Sequence, residues 1–225
     1  MILIGQYDSP FVRRVAASLH VLGLPFERKG LSVFSDADAM RTINPLGRVP
    51  SLVLDDGEVL VDSGAILDHL DEVVGRGKAL MPASGAERRH ALQIVAIATG
   101  AIDKNMAISY EHLMRPPETI HQPWIDRNMV QLVTALRSLE ELAPKDGWFG
   151  GGRLMQPDIT VAAALGYMRF RTNLMGPLPE LPKLARLSKD AEALSALSQC
   201  LPGVEEIGGP LEDAQAGLAR FRGLA

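Results

Sequence analysis

The sequence predicts a two-domain chain: an α/β unit over residues 1–76, in the order β-α-β-(α)-β-β-α, then an all-α bundle over residues 85–225. Three observations predict it. Short apolar runs bounded by turn residues alternate with helical stripes through the α/β unit. The stretch 75–85 (GRGKALMPASG) is crowded with helix breakers and reads as a linker. From Ala86 onward, the apolar residues recur at three- and four-residue spacing. A length of 225 residues suits one large or two modest domains with a substantial core.

Taken in order, residues 1–4 are a short apolar strand running into Tyr7-Asp8-Ser9-Pro10-Phe11. Serine is a favoured N-cap and proline suits the first helical position, so a helix opens there. Its stripe is Val12, Val15, Ala16, Leu19 and Leu22, and Gly23-Leu24-Pro25 stops it. Residues 26–29 form a short strand, which makes a β-α-β crossover. A short, irregular helix follows between Ser35 and Ile43, ending at Asn44-Pro45. The apolar run after Pro50 is a strand, Asp55-Asp56-Gly57 a hairpin turn, and residues 58–61 the antiparallel partner. Asp62-Ser63 then caps a helix carrying Ile66, Leu67 and Leu70.

Within the helical bundle, the first helix is expected to bury Leu92, Val95, Ala96, Thr99, Ile102 and Met106. The next is expected to bury Met129, Leu132, Val133, Leu136 and Leu139. Asp158 caps a third, and an amphipathic segment near Leu211 to Phe221 ends the chain. Tyr110 could face a pocket, while His112 and Asp103 read as surface positions.

Composition narrows the function. Hydrophobic residues make up 47% and charged residues 22%, as in a soluble globular protein. A net charge of −4 argues against nucleic-acid binding. No apolar run reaches the roughly 20 residues that span a bilayer, and the start lacks the basic and apolar regions of a secretory leader. One cysteine, Cys200, cannot build a disulfide or a thiol cluster, and the five histidines show no ligand spacing. No metal is expected, and a cytoplasmic location is.

Ser9 places a hydroxyl at the positive end of a helix, immediately after a strand, where anions bind well. Three motifs then resemble the cytosolic glutathione transferases: Ser-Pro-Phe-x-x-x-Val at 9–15, Asn-Pro-x-Gly-x-Val-Pro at 44–50 and Asp-Ser-x-Ala-Ile at 62–66. The last two, in this order and about a dozen residues apart, are specific in combination. The resemblance implies a thioredoxin-like N-terminal domain, a helical C-terminal domain, glutathione as co-substrate and a homodimer.

It also implies site residues. Pro50 would be a cis-proline exposing the Val49 backbone to the cysteinyl part of glutathione, although an ordinary trans proline reads equally well from sequence. Asp62 and Ser63 would hold the γ-glutamyl ammonium and carboxylate, where a plain N-cap is the competing reading. Arg48 would meet the glycyl carboxylate or simply occupy an exposed turn. Ser9 would donate a hydrogen bond to the glutathione sulfur and so favour the thiolate. Tyr7, two residues earlier, competes for that role as in tyrosine-type transferases. The implied reaction is attack of the thiolate on a small hydrophobic electrophile. The alternatives are glutathione binding without catalysis, peroxide reduction or isomerisation. One departure is Met155, standing where the family usually carries the hydroxyl partner of Asp158.

Overall fold

The computed structural model of the chain describes residues 1–170 and 178–207. The expected terminal segment at 211–221 lies outside them. The first unit is a four-stranded sheet of β1 (Ile2–Ile4), β2 (Glu27–Lys29), β3 (Ser51–Val53) and β4 (Val59–Val61), in the order β2-β1-β3-β4. β1 pairs parallel with β2, Leu3 opposite Arg28, and antiparallel with β3, Leu3 opposite Leu52. β3 and β4 form the expected hairpin, closed by Gly57 N–H donating to Leu54 C=O. Helices α1 (Pro10–Leu22), α2 (Ala37–Ile43) and α3 (Ser63–Val74) complete the unit. α1 stops where Gly23 turns left-handed, φ 69°, and its N–H donates to His20 C=O.

The second unit contains α4 (Gly85–Met114), α5 (Gln122–Leu142), α6 (Gln156–Phe170), α7 (Pro182–Glu192) and the single turn α8 (Ser195–Ser198). Its core joins Ile94, Ile102, Ile108, Leu132, Leu136 and Leu184. The other core lies between the sheet and α1 and α3, around Leu3, Val15, Leu19, Leu52, Ile66 and Leu70. That core also takes in Ile159 and Ala162 of α6, so the two units share an apolar seam.

One expectation needs correction. α4 buries Ala91, Ile94, Ala98, Ala101, Ile102, Asn105 and Ile108, a stripe rotated from the expected one, and leaves Leu92 45% exposed. Small residues let α5 and α6 approach closely, so alanines rather than the bulkiest side chains mark the packed face. The stretch 75–85 connects α3 to α4 and is anchored along its length. Ala79 and Leu80 are buried, and the Asp71 carboxylate accepts the N–H groups of Leu80 (2.7 Å) and Met81 (2.9 Å). Leu80 C=O in turn accepts the Gln156 N–H that starts α6.

The missing hydroxyl at Met155 costs only half of a reciprocal cap. Asp158 accepts the N–H groups of Phe149 (2.8 Å) and Met155 (2.9 Å) and is fully buried. Burial pushes its carboxyl up to about 6, against the opposing pull of those N–H groups.

Candidate functional site

The site begins where β1 ends. Gly5 has φ +131°, and a Cβ there would lie 2.5 Å from Val12 Cγ2 and 2.9 Å from Val49 Cβ. Only glycine lets the loop before Pro50 close against the start of α1. A turn over residues 6–9 follows, in which Ser9 N–H donates to Gln6 C=O at 3.2 Å. Ser9 caps α1 from extended backbone, its Oγ accepting the Val12 N–H at a long 3.4 Å. Pro10 occupies the first helical turn, as the sequence suggests. Among the described residues the Ser9 hydroxyl hydrogen has no acceptor, so it is available to a bound anion.

The second wall is the loop 44–50. Buried Asn44 holds it from within, donating from Nδ2 to Arg48 C=O (2.8 Å) and accepting Leu46 N–H (2.9 Å). The Val49–Pro50 peptide is cis, the geometry implied by the resemblance. Neither backbone group of Val49 is hydrogen-bonded among the described residues, so its N–H and C=O can pair with an extended peptide.

The third component is the start of α3. Asp62 has φ +70°, the one non-glycine residue with positive φ among those described, and its carboxylate accepts Gly64 N–H at 2.7 Å. Such a conformation costs energy and persists only where surrounding structure enforces it. Asp62 is exposed, whereas Ser63 is buried. Behind them lies Arg14 of α1, also buried, whose Nε and Nη1 have no hydrogen-bond partner among the described residues. Burial lowers its guanidinium to about 10, and the neighbouring Asp62 charge offsets part of that. Asp103 of α4 feels both Arg48 and Asp62. Burial raises its carboxyl above the ordinary range and Arg48 opposes the rise.

The first two of these components border a cleft of about 730 Å³ between the two units. Ser9, Arg48 and Val49 line it, while Tyr7, Pro50, Asp62 and Ser63 are not among its lining residues. The opposite wall is apolar and comes from two elements: Phe34, before α2, and Met106, Tyr110, Leu113 and Met114 of α4. Within that wall the Phe34 and Tyr110 rings meet edge to face, centroids 6.0 Å apart.

Tyr7 points elsewhere. Its ring lies under the Arg28 guanidinium, 4.0 Å from centroid to Cζ, and its phenol is part-buried near Cys200. Burial and Cys200 push the phenol up to about 12. Cys200 is buried and likewise raised to about 12, which makes it an inert thiol.

Sequence reasoning missed several residues here. Phe34, Leu113 and Met114 gave no signal, because exposed apolar residues near turns are common. Arg14 and Glu206 gave none either, since nothing in the linear pattern marks a charged residue as buried. Among the described residues, no helix is long and apolar enough to cross a membrane, and no group of three or more His, Cys, Asp or Glu could hold a metal ion.

Comparison with known proteins bears on the family. The family model for the glutathione S-transferase N-terminal domain matches residues 3–77, and that for the C-terminal domain matches residues 122–190. A glutathione transferase family member from Pseudomonas fluorescens Pf-5, solved with bound glutathione, superposes with a TM-score of 0.78 at 31% identity. The match covers 90% of this chain and 98% of that one. The uncharacterized GST-like protein YibF of Escherichia coli K12 is 28% identical, over 90% of this chain and 98% of its own length. The maleylacetoacetate isomerase of Pseudomonas aeruginosa is also 28% identical, over 90% and 96%.

Proposed function

Because this chain belongs to the glutathione S-transferase family, we propose that it binds glutathione in the cleft and ionises its thiol for attack on a small hydrophobic electrophile. The cysteinyl residue of glutathione pairs with the free backbone of Val49, as an added strand would. The γ-glutamyl end lies at the start of α3, its ammonium on Asp62 and its carboxylate on Ser63 and the helix N–H groups. Arg48 takes the glycyl carboxylate. The sulfur then lies at Ser9, whose hydroxyl and helix N-terminus stabilise the thiolate. The electrophile rests against Phe34, Met106, Tyr110 and Leu113, which exclude water from the reacting atoms.

The observation that carries this reading is the unspent Ser9 hydroxyl opening on the same cleft as the unpaired Val49 backbone. Ultraviolet absorbance of the bound thiolate against pH tests it. A free thiol titrates near 8.5. We expect a lower value in the wild type, a return towards the free value in Ser9→Ala, and little change in Tyr7→Phe, because the Tyr7 ring lies under Arg28 and does not line the cleft. An unshifted value in Ser9→Ala would remove Ser9 from the role.

The Pseudomonas aeruginosa relative named as an isomerase favours a second reading, glutathione-dependent isomerisation on the same thiolate. Product analysis separates the two, since only transfer leaves glutathione covalently in the product. The proposal includes a homodimer, supported by the exposed apolar residues Leu92 on α4 and Val73 on α3. It also includes a cytoplasmic location, supported by the single, buried cysteine.

A further inference from the structure

One carboxylate outside this machinery is tied directly to the turn that presents Ser9. Glu206, in a short 3-10 turn (Val204–Glu206) near the end of the described chain, is only 6% exposed yet lines the cleft. Its Oε2 accepts the N–H of Tyr7 at 3.3 Å and of Gly203 at 3.2 Å. Its Oε1 pairs with Arg28, whose guanidinium covers the Tyr7 ring. Tyr7 is the second residue of the 6–9 turn, so Glu206 and Arg28 grip it by its backbone and by its side chain. Ser9 closes that turn, and its hydroxyl has only a long bond to Val12 of its own. The direction of the hydroxyl is therefore set by the turn.

We propose that Glu206 is a positioning residue for Ser9: by holding the Tyr7 N–H it fixes the turn that aims the Ser9 hydroxyl at the glutathione sulfur. The inference rests on the thiolate-activating reading above. Hydrogen bonds weaken steeply with stretching and misalignment, so a slack turn costs thiolate stabilisation before it costs glutathione binding. Arg28 neutralises the Glu206 charge, so the carboxylate can lie beside the cleft without repelling the thiolate.

Glu206→Gln tests the idea. The amide keeps the size of the side chain but cannot both pair with Arg28 and accept two N–H groups. The thiol of bound glutathione is expected to titrate about one unit higher, with kcat/KM at neutral pH falling about tenfold. KM for glutathione should stay within about twofold, because Val49, Asp62 and Ser63 are untouched. A role through charge alone predicts the opposite sign, since an unpaired Arg28 would favour the thiolate. Asp8, Arg48 and Glu205, the other charged residues lining the cleft, are constant across the variants.

The double variant Arg28→Met, Glu206→Leu leaves no lone buried charge, so it remains informative if the single variant folds poorly. The same rise is expected from it. A fall in the thiol pKa, or an unchanged pKa alongside a lower melting temperature, overturns the proposal in either variant. The wild type separates the two levels of the argument. An unshifted thiol there overturns the activation reading and this inference with it. A depressed thiol there that survives both variants overturns only the role of Glu206.

Discussion

Gly5 and Asp158 carry consequences out of proportion to their size. At Gly5, any side chain meets Val12 and Val49, and φ +131° strains an L-residue wherever it has room. Gly5→Ala is expected to cost about 2–4 kcal/mol, combining overpacking with backbone strain. Urea unfolding should show the loss as a lower midpoint at similar slope. At Asp158 the folded state holds the proton more tightly than the unfolded chain does, near 6 against the ordinary 3.8. Its contribution is therefore fully present below about pH 4 and is lost as pH rises through about 6. The change is of the order of 2–3 kcal/mol. Melting temperature measured between pH 4 and 7 should show a flatter profile in Asp158→Asn than in the wild type.

Among the elements, α1 is the most constrained. Every position from Val12 to Leu19 is buried, including Arg13 and Arg14. Arg13 makes a bidentate pair with Glu192 of α7, and its Nε donates to Cys200 C=O at 3.0 Å. A buried pair adds little over an apolar substitute, but removing one partner strands the other charge. Glu192→Gln should therefore destabilise by about 3–5 kcal/mol. Replacing both partners with apolar residues of similar volume should recover most of that loss in the same unfolding experiment. The apolar stripe of α1 was legible in the sequence. The arginines between its members were not, because periodicity reports where apolar residues recur and is silent on whether a charged neighbour finds a partner. α4 shows the converse: its alanines pack and its Leu92 does not, a choice made by the surface of α5 and α6.

At the scale of the whole molecule, the two units behave as one body. Ile159 and Ala162 of α6 belong to the core beneath the sheet, Phe11 of α1 packs against the helical core, and Trp148 touches both. Unfolding is therefore expected to be a single transition. Tryptophan fluorescence from Trp124 and Trp148 should coincide with loss of helical circular dichroism. A fragment of residues 1–80 should fail to fold alone, because Ile159 and Ala162 would be missing from its core. Separate transitions, or a folded fragment, would contradict a shared core.

The cleft is likewise a product of the assembled pair. Ser9, Arg48 and Val49 come from motifs that stand in the sequence, because capping and turn chemistry need particular residue types at particular spacings, whereas the cis form of Pro50 is implied only by the family resemblance. Those local rules are sufficient to read the strand and helix order of the first unit, the loop 44–50 and the capped start of α3. They are silent on the apolar wall of Phe34, Met106, Tyr110 and Leu113, assembled from segments some seventy positions apart. They could not separate Tyr7 from Ser9, two residues apart on one turn. In the tertiary structure the Tyr7 ring lies under Arg28 and its N–H donates to Glu206, whereas the Ser9 hydroxyl opens on the cleft, and that contrast supports the proposed role of Ser9. The physical reason is range: a cap is decided within one helical turn, whereas the direction in which a side chain points is decided by whatever the rest of the chain packs against it.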